Sequence, residues 1–194
     1  MGTESDHSNR SSQSQDAAMM KRIVNGDERI CRIIVEQQIK RLHRFAYRML
    51  GDSGDAEEVV QEGFLRLWKQ APSWKSNALI STWLHQVAHN LCIDRMRRRR
   101  EELPGILPEQ PDPGASALDQ HYQQQVTQFV NQALNTLPER QKTAINLVHY
   151  QFVGNKEAAN IMNITVEALE SLLTRGRRGL KKQLQEHKPD LMES

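Results

Sequence analysis

The 194-residue chain has few aromatic residues, only 5% of its length, and no run of alternating β-branched residues. Strands therefore have little support, and the expected fold class is all-α. Cysteine is nearly absent as well. Cys31 and Cys92 stand far apart, each inside a helical apolar pattern. They make neither a disulfide framework nor a metal-binding or redox pair, and two buried thiols fit a reducing, cytoplasmic setting. No apolar run reaches transmembrane length and no secretory leader opens the chain, so membrane insertion is not expected. Catalytic patterns are missing too: there is no Gly-rich phosphate loop and no nucleophile set beside a base. His85 and His89 lie one helical turn apart, but no carboxylate joins them at a metal-ligand spacing. No enzymatic activity, metal or cofactor is expected.

What is present is segregated charge. A formal net charge of +2 hides basic clusters at 94–100 and 175–182, separated by a stretch, 101–120, with acids and no Lys or Arg. Basic patches of this kind are the electrostatic footprint of a nucleic-acid binder, although solvated helix faces produce similar runs.

Along the chain, residues 1–18 are rich in Ser, Gln, Asp and Asn without an apolar period, and read as a disordered tail. Residues 19–100 read as one compact helical domain. Ile30, Ile34, Ile39, Leu42, Phe45 and Met49 recur at helical spacing from about Ala18 to Leu50, and Gly51-Asp52-Ser53-Gly54 breaks the pattern. In the next helix, for which Asp55 is a candidate cap, Ala56, Val59, Val60, Phe64, Leu67 and Trp68 make the apolar face. Glu57, Glu58, Gln61, Glu62 and Arg66 face outward, with Leu65 near the edge. Pro72 ends that helix and a loop follows with Trp74, Lys75 and Asn77. A long helix from about Ser81 to Arg100 then buries Trp83, Leu84, Val87, Ala88 and Leu91. His85, His89, Asn90, Asp94 and Arg97 form its polar side. Prolines 104, 108, 111 and 113 make 101–122 an acidic, flexible linker. Residues 123–187 read as a second helical domain and 188–194 as a tail.

Within the second domain, Lys156–Met162, a turn at Asn163-Ile164-Thr165, and a helix from Val166 to about Leu184 have the spacing of a helix-turn-helix; a plain helical hairpin is the alternative. Ala158, Ala159, Ile161, Met162, Ile164, Val166, Leu169 and Leu173 would pack the pair. Thr165, Glu167, Ala168, Glu170, Ser171 and Thr174 would face a DNA major groove, with Arg175, Arg177 and Arg178 on phosphates. In the first domain, Arg97–Arg100 would neutralise phosphates, or simply complement a helix C-terminus. Trp74, beside Lys75 and Asn77, offers a stacking face for an unpaired base, or anchors its loop to the core. Trp83 carries the same two readings.

Taken together, these segments resemble a known family. Asp55-Ala56-Glu57-Glu58-Val59-Val60-Gln61-Glu62-Gly63-Phe64-Leu65-Arg66-Leu67-Trp68 is similar to region 2.2 of bacterial sigma factors. Thr82–Asn90 and Asp94–Arg99 resemble regions 2.3 and 2.4, and Ala133–Gln141 with the helix-turn-helix resembles region 4. The order of elements, with two domains and a short linker, matches the extracytoplasmic-function (ECF) subfamily. The resemblance implies a bacterial transcription initiation factor. Glu58, Gln61, Glu62 and Leu65 would dock on the β′ clamp helices of core RNA polymerase. Trp74, Lys75, Asn77, Trp83, His89, Asn90, Asp94 and Arg97 would engage the opened minus-ten promoter element. Thr165–Arg178 would read the minus-thirty-five element, beside a contact to the β flap, and an anti-sigma factor would hold the protein in check. Ile80-Ser81 and His85 stand where many relatives carry aromatics, and Glu170 and Leu172 where many carry Lys and Arg. A conventional helix-turn-helix regulator acting without polymerase is the rival reading. It leaves the Asp55–Trp68 helix and the arginine-tipped helix unassigned. A nucleic-acid-processing enzyme would need a metal cluster that the sequence does not offer.

Overall fold

A computed structural model describes residues 3–75, 78–102 and 130–186, and no strand occurs among them. Most of the linker, the start of the second domain, Asn77 and the 188–194 tail therefore lie outside the described residues.

The structure is helical over most of the segment whose composition reads as a disordered tail. Helix α1 spans Thr3–Val24, so residues read as unstructured are helical from Thr3. Met20 anchors it, 1% exposed, with Met19 and Ile23 packed beside it. The continuous helix expected from Ala18 is broken at Gly26, whose φ of 82° is left-handed. Asp27 then caps α2 (Glu28–Leu50), its Oδ1 accepting from Arg29 N at 3.1 Å. The buried stripe of α2 runs through Ile30, Ile34, Leu42, Phe45 and Met49. Ile39 was expected in that stripe and is 40% exposed. It sits one residue past the i+4 row that passes through Gln38, about 100° around the helix.

Gly51, at φ 74°, closes α2 by donating to Tyr47 O at 2.8 Å. Helix α3 spans Ser53–Gln70 and is capped by Asp52 rather than Asp55, since Asp52 Oδ1 accepts from Asp55 N at 2.8 Å. The expected face is buried: Ala56, Val59, Val60, Phe64 and Leu67, with Trp68 partly covered. A 3-10 turn, Ala71–Ser73, follows, and α4 runs Ile80–Glu102. Leu84, Ala88 and Cys92 complete the core against α2 and α3. Each large apolar side chain removed from water there contributes about 1.5–3 kcal/mol.

The described part of the second module opens with residues 130–135, which are helical (α5). Helix α6 (Glu139–Ile145), with Pro138 at its N-cap, runs directly into a π turn, Asn146–Tyr150. Helix α7 (Asn155–Ile161) and α8 (Val166–Glu186) form the helix-turn-helix, and Asn163 in the turn is left-handed at φ 51°. Ala158, Ala159, Ile161, Met162, Leu169 and Leu173 are buried between them as expected, and so is Leu172. The close crossing of α6 and α8 rests on Gly176. A Cβ there would lie 2.6 Å from Ile145 Cδ1. Gly176→Val should therefore cost about 1–3 kcal/mol by overpacking, read as a lowered midpoint in urea denaturation.

The two modules touch along a polar seam. Lys142 of α6 reaches the C-terminal end of α2, where its Nζ donates to Met49 O at 2.8 Å, and to Asn135 Oδ1 at 2.7 Å. Asn146 Nδ2 donates to Phe45 O at 3.1 Å, and Arg41 Nη2 to Gln151 O at 2.7 Å. The Arg48 guanidinium lies 4.2 Å from the Tyr150 ring centroid. On the neighbouring face, α7 packs against α4, with Thr82 hydrogen-bonded to Glu157. Loss of water pushes the Lys142 amine down to about 8.

Candidate nucleic-acid interface

Three surfaces gather the residues singled out in the sequence. The first is the outer face of α3. Glu58, Gln61 and Leu65 are exposed, Leu65 to 52%, and Glu62 is partly so. Leu65 thus stands among charged neighbours on a helix whose other face is buried. Glu62 pairs with Arg66 at 2.7 Å, and that hydrogen bond holds its carboxyl below the usual range. Glu58 is tied to Arg95 of α4.

That tie belongs to a cluster the sequence did not reveal. Arg95 also lies 3.7 Å from Asp55 Oδ1, and Arg99 binds Asp55 and donates to Leu50 O at 3.4 Å. Arg100 reaches Glu139 at 3.5 Å. The arginine run is thus divided: Arg95 and Arg99 turn inward as braces between α3 and α4, while Arg97 and Arg98 are exposed. Arg97 pairs with Asp94 at 3.3 Å, one turn back on α4. The signal for this division was weak. Alternate arginines on one helix face point the same way only if a carboxylate waits there, and Asp55 is 40 residues away.

The second surface surrounds the start of α4. Trp74 is partly buried and meets Trp83 edge to face, with ring centroids 6.1 Å apart. Both tryptophans therefore contribute to packing. Trp74 Nε1 is buried without an acceptor among the described residues. Lys75 and Asn90 are exposed. His85, expected on the polar side, is buried: its Nδ1 lies 2.8 Å from Ser81 O and its ring is edge-on to Phe45 at 5.7 Å. Burial first, and the nearby Arg41 next among the effects that disfavour charge, keep it neutral. His89 is partly buried, and loss of water and then Arg140 push its imidazole down to about 4. These histidines face the second module, so that module covers part of the polar side of α4.

The third surface is α8. Thr165, Glu167, Ala168, Glu170, Ser171, Thr174, Arg175, Arg177 and Arg178 are all exposed. Glu167, Glu170, Ser171, Thr174 and Arg175 line one shallow depression. Thr165 Oγ1 accepts from Ala168 N at 3.2 Å, so its hydroxyl caps the helix. Leu172, by contrast, faces the core. Arg175, Arg177 and Arg178 follow on the exposed side of α8. Two of these are steadied on the helix, Arg175 Nε donating to Ser171 O at 3.2 Å and Arg177 Nε to Leu173 O at 3.3 Å. Among the described residues no group of three His, Cys, Asp or Glu is placed to hold a metal ion.

Two families match the two modules: sigma-70 region 2 over residues 34–102 and sigma-70 region 4 over residues 130–180. The chain belongs to the sigma-70 family, in its ECF group. It is 28% identical over 187 residues to the ECF RNA polymerase sigma factor SigW of Bacillus subtilis, covering 86% of this chain and 95% of that protein. It is 28% identical over 169 residues to the ECF sigma factor SigM of Mycobacterium tuberculosis, covering 87% and 84%. Its fold is shared with CnrH, solved in complex with the cytosolic domain of CnrY, at TM-score 0.69, 20% identity, and 88% and 97% coverage. RpoE of Bartonella quintana, solved with the anti-sigma factor NepR, gives TM-score 0.67, 23% identity, and 79% and 96% coverage. Matches over both modules favour a sigma factor over the regulator that acts without polymerase, because that regulator accounts for the second module only. Sigma factors are transcription initiation factors and not enzymes. No described helix of this one is long and apolar enough to cross a membrane.

Proposed function

We propose that this ECF sigma factor works in the bacterial cytoplasm and docks on the β′ clamp helices of core RNA polymerase through Glu58, Gln61, Glu62 and Leu65. The opened minus-ten strand is then held near Trp74, Lys75, Asn77 and Trp83, and by Asn90, Asp94 and Arg97 along α4. His89 joins that surface when the second module moves off it. Thr165, Glu167, Ala168, Glu170, Ser171 and Thr174 read the minus-thirty-five duplex, with Arg175, Arg177 and Arg178 on its phosphates. The β flap contact falls to the second module.

One observation carries this reading: a solvent-facing recognition helix and an exposed apolar residue on an acidic helix belong to separate modules of one chain. Melting a duplex costs stacking energy, and a protein without a motor recovers it by holding the opened strand. The duplex-reading module meanwhile sets register through phosphates and a few base edges. An anti-sigma factor is the expected inhibitor, since RpoE was solved with the anti-sigma factor NepR and CnrH with the cytosolic domain of CnrY. The test is gel filtration of the purified chain with bacterial core RNA polymerase. Co-elution supports the reading. Absence of a complex, with tight duplex binding by the chain alone, would put the conventional regulator in its place.

A further inference from the structure

Helix α1 has no place in the reading above, yet it lies on the part of the first module assigned to the promoter strand. Its first four turns are polar, and a helix of that composition does not persist alone in water. Two of its contacts tie it to the rest of the module. Met20 is buried, with Met19 and Ile23 beside it. Asp16 is the other: its Oδ2 accepts from Ile80 N at 2.6 Å, across 64 residues of sequence.

Ile80 is the first residue of α4, and the residue before it is Leu79, whose carbonyl accepts the first helical bond from Trp83 N at 3.0 Å. Leucine has no side-chain oxygen and is among the poorest N-caps. Leu79 thus cannot cap α4 with its own side chain, and Asp16 accepts from the helix's first N–H from another helix. Helix α1 also packs against the 3-10 turn Ala71–Ser73, where α3 ends. It therefore grips both the turn that leaves α3 and the first turn of α4. Trp74 and Trp83 meet between those two points.

We propose that α1 is a working part of the promoter-strand site, with Asp16 as a positioning residue that fixes the start of α4 relative to the Ala71–Ser73 turn. The inference rests on the minus-ten reading given above. Holding an unpaired base against a tryptophan pair demands placement within a fraction of an ångström, and a capless helix start would fray. Asp16 does this through acceptor geometry and not through charge. Its Oδ2 is placed to accept from the Ile80 N–H, and Asn offers an acceptor of the same shape at a helix start.

The experiment uses the full chain assembled with core RNA polymerase. Wild-type holoenzyme first selects a single-stranded 12-mer from a random pool, and the selected strand, fluorescently labelled, becomes the probe for variants. Asp16→Ala should bind it about five- to tenfold more weakly, the size of a lost N-cap. Its preference among the four bases at the best-read position should flatten. Asp16→Asn should stay within about twofold of wild type, because Asn caps as well as Asp. Met20→Ala, which loosens the other contact, should move the same readouts as Asp16→Ala. Co-elution with core polymerase should not change in any variant, and amide exchange at Ile80 should quicken in Asp16→Ala alone of the two Asp16 variants. Unchanged strand affinity and base preference, despite faster Ile80 exchange, would make the cap structural only and overturn the proposal. Tighter strand binding by Asp16→Ala would overturn it in the other direction, making α1 an obstruction. Failure of the wild-type holoenzyme to select any strand is a different result, since it removes the minus-ten reading on which the proposal stands.

Discussion

Gln61→Ala/Glu62→Ala/Leu65→Ala should weaken binding to core RNA polymerase by about 100-fold, the scale of losing a small hot-spot cluster. The three residues share the solvent side of α3, and Leu65 is the one large apolar side chain of that face standing 52% exposed. Removing it takes away the group most able to gain from desolvation in a complex, and Gln61 and Glu62 supply the polar contacts around it. The fold should hardly notice. Alanine is a good helix former, none of the three is buried, and the Glu62–Arg66 pair is an exposed i,i+4 bridge that contributes little to stability. Urea midpoints and competition binding to core polymerase, measured on the same preparations, separate the two quantities. A triple variant that binds as wild type does would move the docking face away from α3. A loss of binding that tracks a loss of fold would remove the support for a local contact.

The second large effect is expected in acid. His89 is held down to about 4, and His85 is lowered too, each chiefly by burial. A histidine with a depressed folded pKa leaves the unfolded chain binding more protons between the two values. The stabilisation is then fully present above about 6.5 and is lost as pH falls toward about 4. For His89 alone a displacement of this size corresponds to about 2–3 kcal/mol, after allowance for its partial exposure. His85 adds to it in the same direction. The Asp27, Glu62 and Glu167 carboxyls are lowered below their usual range, so their contribution fades only from the acid end of this window downward, where Asp16, raised by burial, acts in the opposite direction. Urea denaturation followed by tryptophan fluorescence at pH 7, 5.5 and 4.5 should show the step, and His89→Gln should shrink it. A wild-type stability that is flat from pH 7 to 4.5 would rule out neutral, buried histidines at the seam. Because both rings face the second module, the seam should loosen before the apolar cores do.

Periodicity carried far in this chain because most of its helices bury one face against near neighbours. Val59, Val60, Phe64 and Leu67 of α3, and Leu169 and Leu173 of α8, lie where a 3.6-residue repeat puts them. The helix-turn-helix was legible for the same reason, with Asn163 taking the left-handed position its short amide tolerates. Periodicity failed where a residue's environment comes from a distant part of the chain. The polar α1 segment has no stripe to read, and its order depends on Met20 and on Ile80, far along the sequence. His85 looks like a polar-face residue until Phe45 and the second module close over it. Lys142 drew no attention, since nothing nearby in sequence announces that its amine ends on carbonyl and amide oxygens at the end of α2. The candidate docking and duplex-reading residues were visible as exposed positions. Which arginines remained available was not.

That division of the arginines alters how the protein should respond to salt. Residues 95–100 contain five arginines, and if each displaced a counterion from a single strand, affinity would fall with a log–log slope of about −0.7 per contact. Arg95 and Arg99 are already matched to Asp55 and Glu58, Arg97 to Asp94, and Arg100 to Glu139. An arginine that leaves a carboxylate for a phosphate must first break an ion pair that salt also weakens, which offsets part of the salt dependence of its phosphate contact. The strand grip of this helix should therefore endure rising ionic strength better than its arginine content suggests.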